Sequence, residues 1–586
     1  MRHDEMLGLL HYLLAPGEQP SILWAARYEL AFWLAVFFIT ALLARSRPAW
    51  VLRAEGWLRR VSQHRGACVL AIFCAVPLIR ISLLPLIPMP VPVMLDEFSY
   101  LLGADTFAAG RLTNPAHPMW MHFESIHINV LPTYQSMYPP AQAMVLALGQ
   151  KLMGLPWAGV VFSVAVMCAA LCWMLQQWMA PGWALLGAAF AILRFGIFSY
   201  WINSYWGGAA AATGGALLLG AFARIRRKPS AGNCLLFVVG LLILANSRPL
   251  EGFLFSLPLL FAACVHLLRS RRAIRVALPA IVLLALGAGW MLYYNWRSTG
   301  HVLTMPYTVN QQEYHVSKPF FFQTPGPIPR YRHPEMRVFY MFHEYGDMLR
   351  SHYAWGAQAI LEQNFSAYYA FLAWPVLLLL AAGALLALAD AEMRIVCLAM
   401  FAILAGLALQ IWPSHGHYAA PALGGILLLL LYALQRIRQG GSSSLRPWFS
   451  RAVVLALFAW MLVPTADRLW NPYSLEDYSS GDRTNVPRQM DRARIAAQLE
   501  RTPGDHLVLV HYGHRDIPSV EWVYNRADID HAKVVWARDM GTEGNKELLR
   551  YFPDRTVWYV NRSSGSLLEP YSSVLAFTAN SSPALK

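Results

Sequence analysis

Apolar runs broken by short polar segments repeat along most of the chain. A helix that crosses a bilayer needs roughly 20 apolar residues. Runs of about that size predict spans near 27–45, 67–87, 156–178, 183–201, 205–224, 232–247, 252–268, 275–293, 366–389, 395–412, 418–435 and 452–466. A shorter run at 139–153 follows "YPP" and carries Lys151, so it is expected as an interfacial or re-entrant helix. Beyond 467 the pattern becomes that of a small α/β domain. "RARIAAQLE" predicts a helix, "HLVLVHY", "KVVWARD" and "TVWYVN" predict strands, and "NKELLRYF" a helix between the last two.

Composition agrees with a polytopic α-helical membrane protein of about 12 transmembrane helices. Of the 586 residues 57% are hydrophobic and only 14% charged, where a soluble domain carries about 25% charge. The 22 Trp and 26 Tyr suit bilayer interfaces. The net charge of +14 sits in short loops between apolar runs: Arg45 to Arg65, "RIRRK" at 224–228, "RSRRAIR" at 269–275, and Arg436 to Arg451. That distribution is the positive-inside signature, not a nucleic-acid surface, and it sets those loops in the cytoplasm. All seven cysteines lie in apolar segments and read as packing thiols. The chain divides into an extra helix with a basic loop (1–66), a transmembrane region (67–466) with outer loops 88–155 and 295–365, and an extracytoplasmic domain (467–586).

With the basic loops inside, the unusual polar residues fall on the outer face. Asp96 and Glu97 open an expected amphipathic helix along the interface, where the helix dipole favours ionised carboxylates. An ionised Asp there is suited to accept a proton or to hold a divalent cation. In "HPMWMHFESIHI" alternation predicts a strand with His122 and Glu124 on one face; its spacing fits no usual zinc motif, and Glu124 is the best second carboxylate. "SMYPPAQA" sets Tyr138 at a helix start, and "NSRPLEG" sets Arg248 and Glu251 at an outer helix end, suited to grip a lipid phosphate. "WPSHGHYAAP" offers His415, His417 and Tyr418 for a diphosphate or sugar, and "INSYWGG" offers Asn203, Tyr205 and Trp206 for a sugar ring. In the tail, His511, His514 and Asp516 follow a predicted strand.

An Asp-Glu pair after an early span, an outer loop with an interfacial helix, and a residue followed by Pro-Pro together resemble the GT-C membrane glycosyltransferases. The likeness is to the protein O-mannosyltransferase and lipid A aminoarabinose transferase group. It is carried by Asp96, Glu97, Gly110 and Tyr138-Pro139-Pro140, with "ALGQKLMGLPWAGVVFS" after them. This chain has Tyr138 where the group has His or Lys, and an extra helix at 27–45. The resemblance implies a polyprenyl-phosphate-linked sugar donor, a membrane lipid environment, and inverting transfer to an extracytoplasmic acceptor. It implies Asp96 as the acceptor-activating base, with Arg248 contacting phosphate. The setting is a bacterial-type inner membrane. A secondary transporter or a membrane scaffold is the alternative. A transporter predicts matching halves and midplane charges, whereas here the charges gather at one surface.

Overall fold

The computed structural model describes residues 31–572 except 32, 40, 43–44, 46–48, 93, 270–272, 350–373, 412–414, 440–444, 471–485, 514–520 and 563–567. The expected span at 27–45 therefore falls only partly within the described residues, and His514 and Asp516 lie outside them.

Helices occupy the remaining apolar runs: α1 (Ala49–Val61), α2 (Arg65–Ser82), α3 (Leu95–Ala108), α4 (Pro140–Met153), α5 (Pro156–Trp178), α6 (Pro181–Phe195), α7 (Ala209–Arg227), α8 (Ala231–Ala245), α9 (Pro249–Leu268), α10 (Ala273–Thr299), α11 (Pro306–Tyr314), α12 (Trp374–Leu388), α13 (Arg394–Leu409), α14 (Leu423–Gln439) and α15 (Leu445–Trp470). Proline opens α4, α5, α6, α9 and α11. Its φ is already helical and its missing N–H is one the first turn leaves unbonded anyway. Ser230 caps α8 by accepting from the Asn233 N–H.

By length and composition, 5 described stretches are able to cross a membrane: Arg65–Ser82, Pro156–Trp178, Pro249–Leu268, Ala273–Thr299 and Gly416–Gln439. The other apolar helices are shorter, among them Pro181–Phe195, Ala231–Ala245 and Arg394–Leu409. The run expected as a span to residue 201 stops at Phe195, and residues 196–208 fold back as a buried loop. α4 and α5 pack closely because both contribute glycine: a Cβ at Gly159 would strike the Val145 carbonyl, and one at Gly149 would strike the Gly159 backbone.

Two sheets lie outside the bundle. In the first loop β1 (Asn114–Pro115), β2 (Ile128–Asn129) and β3 (Thr133–Ser136) pair antiparallel in the order β1-β3-β2. The tail contributes α16 (Val486–Arg501), β4 (His506–His511), β5 (Val534–Arg538), α17 (Lys546–Tyr551), β6 (Thr556–Asn561) and β7 (Leu568–Pro570). Its sheet runs β5-β4-β6-β7, parallel except for β7. Leu507, Leu509, Val535 and Ala537 face Leu102, Phe123 and Ile128 of the first loop, while Val508, Val510 and Trp536 face Ile495 and Leu499 of α16. A parallel sheet is normally covered on both faces, and here one cover is the first loop itself.

That cover corrects one expectation. α3 is not an amphipathic helix along an interface. Phe98, Leu102 and Ala104 are buried, Phe98 lies 4.8 Å from the Tyr524 ring, and the Arg492 guanidinium sits 4.9 Å over Phe98. The helix is enclosed between α4 and the tail.

Candidate functional site

The pairing of β2 with β3 builds the site. Ile128 lies opposite Ser136 and Asn129 opposite Gln135, so the residues just beyond the ladder, His127 and Tyr138, come together. They converge on Asp96 in the first turn of α3. His127 Nδ1 lies 2.6 Å from Asp96 Oδ1, and the Tyr138 hydroxyl donates to the same oxygen. Oδ2 takes no hydrogen bond from a described residue, and the Asp96 side chain retains 14% exposure. Tyr138 is held in turn by stacking on Tyr100, with centroids 4.6 Å apart.

Burial pushes the Asp96 carboxyl up, but His127 and the Tyr138 hydroxyl outweigh it and hold the group below its ordinary value. Burial opposes charge on His127 as well, and Asp96 and Glu344 overcome it, raising the imidazole to about 9. Asp96 is therefore a carboxylate beside an imidazolium, with one oxygen engaged and the other available.

Glu97 does different work. It is fully buried. Oε2 accepts from the Met94 N–H, closing a capping box, and Oε1 accepts from the Tyr205 N–H. The Tyr205 hydroxyl donates to the Pro90 carbonyl. Asn203 is likewise committed, accepting from Arg80 Nε at 2.9 Å and donating to the Ile197 and Ser199 carbonyls. Arg80 also donates to the Ile87 and Pro88 carbonyls. These residues tie residues 83–94 to the 196–208 loop, so Glu97, Asn203 and Tyr205 shape the site's wall rather than face a substrate.

Near Asp96 stand residues from the N-terminal ends of α9 and of the segment leading into α14. The Arg248 guanidinium lies 4.3 Å over the Tyr418 ring. Tyr418 stacks on His417 at 4.9 Å, and His417 lies 4.8 Å from Trp206 and bonds the Tyr200 hydroxyl through Nδ1 at 2.8 Å. Trp206 is 5% exposed, and its indole N–H finds no acceptor among the described residues. The two groups form one electrostatic unit. Tyr100 is raised first by burial and then feels Arg248, Asp96, Tyr418 and Glu251 together, and His415 feels both Asp96 and Arg248.

A small apolar cleft opens beside them, lined by Met137, Pro139, Asn246, Met291, Met305 and Tyr307 among others. Tyr307 joins the cleft to the site, since Tyr418, Glu344, Glu251 and Arg248 all act on its hydroxyl.

His122 and Glu124 are not part of this site, and they do not share a strand face. Residues 120–123 form a turn of 3-10 helix, after which Glu124 leaves in a different direction. Glu124 accepts from Tyr314 at 3.0 Å and Arg332 at 3.2 Å and pairs with His333, while His122 bonds the Arg538 carbonyl. Burial raises the Glu124 carboxyl, and His333, Arg332 and Tyr314 bring it below the ordinary range. It is a structural anion between the 88–155 and 295–365 loops, and the neighbouring His122 reaches the tail.

Sequence reasoning met His127 only as one of the polar residues of "HPMWMHFESIHI" expected to line a cleft, and it did not name His315, Glu344 or Tyr307 of the 295–365 loop. His127 carries a signal only in three dimensions, a positive φ of 61°. Among the described residues no group of three or more His, Cys, Asp or Glu comes together as a metal site.

No protein-family model matches the chain, and no curated protein matches it. Solved structures do resemble it. ArnT from Cupriavidus metallidurans bound to undecaprenyl phosphate is 15% identical over 90% of this chain and 96% of that one, with a TM-score of 0.48. The Archaeoglobus fulgidus oligosaccharyltransferase in the apo form is 10% identical over 76% of this chain and 62% of that one, at 0.37. AglB from the same organism, in complex with an inhibitory peptide and a dolichol-phosphate, gives 12%, 75%, 62% and 0.35 in the same order. At these scores the likeness is one of broad arrangement, and the functional reading rests on this chain's own residues.

Proposed function

We propose that the chain is a membrane glycosyltransferase that moves a sugar from a polyprenyl-phosphate donor to an extracytoplasmic glycan, lipid or protein acceptor, inverting the anomeric carbon. The observation that carries this reading is Asp96 itself. One oxygen is fixed by His127 and Tyr138, the other is available, and the carboxylate shares an electrostatic neighbourhood with Arg248.

An inverting transfer from a lipid phosphate needs little more. The acceptor must lose a proton as its oxygen or nitrogen attacks, and the departing phosphate must be met by positive charge. Asp96 Oδ2 takes the proton while the new bond to the sugar forms. The electron pair of the breaking bond leaves with the phosphate, which Arg248 and the Trp206 N–H are suited to receive. The apolar cleft at Met291, Met305 and Tyr307 suits a prenyl chain entering at headgroup depth. In this reading the protein is a bacterial-type inner-membrane enzyme of about 12 spans, with the site and the tail domain outside the cytoplasm.

The test uses purified protein and an extract of radiolabelled polyprenyl-linked sugars. Label should leave the lipid with wild type, and Asp96→Asn should lose at least about a hundredfold of that rate while its melting is unchanged. A variant that transfers normally would remove Asp96 from the reaction.

A further inference from the structure

Behind Asp96 a row of buried groups runs into the second outer loop. His127 Nε2 lies 3.8 Å from Glu344 Oε1, and Glu344 Oε2 lies 2.7 Å from His315 Nδ1. His315 Nε2 lies 3.2 Å from Asn310 Oδ1, and Asn310 donates to Asn129 at 2.9 Å. Burying so many ionisable groups away from water is costly unless each is paired, and a purely structural clamp for two loops would be served as well by apolar packing. His127 adds backbone strain at the same place. Its left-handed conformation is uncommon outside glycine and costs on the order of 1 kcal/mol. Two bonds to its carbonyl enforce it, from Ser99 Oγ at 2.7 Å and from the Met137 N–H at 3.3 Å. The ring is walled by Phe339 at 5.5 Å and Tyr138 at 5.6 Å. Strain, burial and ion pairing thus coincide at the side chain that pairs with Asp96.

We propose that Glu344, acting through His127, is a positioning residue for Asp96: it aims the imidazole so that Oδ1 is engaged and Oδ2 is left to take the acceptor's proton. This rests on the transferase reading above. The charges facing His127 are Asp96 and Glu344; beyond them lie Tyr138 and Tyr340, with His315 on Glu344 and His415 near Asp96. In the transfer step the acceptor's bond to hydrogen breaks and its proton goes to Asp96 Oδ2. The carbon–oxygen bond to phosphate breaks with its electrons, and His127 keeps its proton throughout. Loss of that proton at high pH releases Asp96 from its fixed orientation. Glu344 is what holds the release at high pH.

Two measurements test this on the full-length protein. With the radiolabelled lipid extract, kcat/KM of Glu344→Gln should fall about tenfold near pH 8, with its alkaline limb moved down by about one pH unit. Glu344→Asp should recover most of the rate. Histidine NMR in micelles, with the His127 signal assigned by its loss in His127→Gln, should show that ring titrating lower in Glu344→Gln than in wild type. A uniform drop in rate with the limb unmoved would overturn the proposal, as would a His127 titration indifferent to Glu344. If wild type itself releases no label, the transferase reading fails and this role fails with it. The NMR arm then still separates that outcome from a failure of the coupling between Glu344 and His127.

Discussion

At the scale of single residues, His127 and Glu344 carry charges of opposite sign whose pH effects oppose each other. His127 is raised from 6.5 to about 9, so the folded state holds that proton more tightly than the unfolded chain. Its stabilisation is complete below about 6.5 and is lost as pH rises through about 9. Burial raises Glu344, but His315 and His127 outweigh it and lower it from 4.5 to about 2. Its contribution is present above about 4.5 and is lost as pH falls through about 2. Melting temperature in micelles should therefore be flat between roughly pH 5 and 6.5 and decline toward roughly pH 9.5. His127→Gln should erase much of the alkaline decline; an identical slope in that variant would place its origin elsewhere. The candidate pair was legible in the sequence because Asp-Glu at the end of an apolar run is conspicuous. How the two differ was not. Only the fold separates Asp96, with a free oxygen, from Glu97, spent on backbone N–H groups. His127 was one of several histidines in a polar stretch until strand pairing selected it.

Elements were easier to read where hydrophobic period and length agree. Helix positions followed from apolar runs and prolines, and the tail's alternation of β4, β5 and β6 with helices from short β-branched stretches. The 295–365 loop gave no such signal, because its role comes from contacts far apart in sequence. The same holds for Arg538 at the end of β5. Its side chain is wholly buried and donates to the Glu124 carbonyl and to Glu521, each at 2.6 Å, and to Glu335. One guanidinium thus joins the tail to the 88–155 and 295–365 loops. Arg538→Met would take the guanidinium away from Glu521 and Glu335, and removing one partner of a buried ion pair costs about 3–5 kcal/mol. The expected result is earlier cleavage of the tail in limited proteolysis, with the helix bundle still intact. A cleavage rate equal to wild type would mean the latch is redundant.

For the whole molecule, the arrangement implies a protein with two unlike faces. Arg438 and Arg451 pair with Glu55 at 3.0 and 2.9 Å at the end rich in arginine, and the carboxylates, histidines and tail gather at the other. Reporter fusions should place residues 130 and 500 on one side of the membrane and residue 228 on the other. Residues 130 and 228 found on the same side would break the threading. The number of spans was less legible than their positions, since several apolar helices are shorter than a bilayer and a composition pattern does not measure where a helix stops.

The clasp at Arg538 bears on how the protein matures. The ribosome makes the carboxylate-bearing helix long before the guanidinium that secures its surroundings. Until the last strands are delivered and folded, the nascent bundle carries its acid in an unfinished enclosure. A chain clipped or stalled before β5 would lack the contacts that Arg538 makes with both loops.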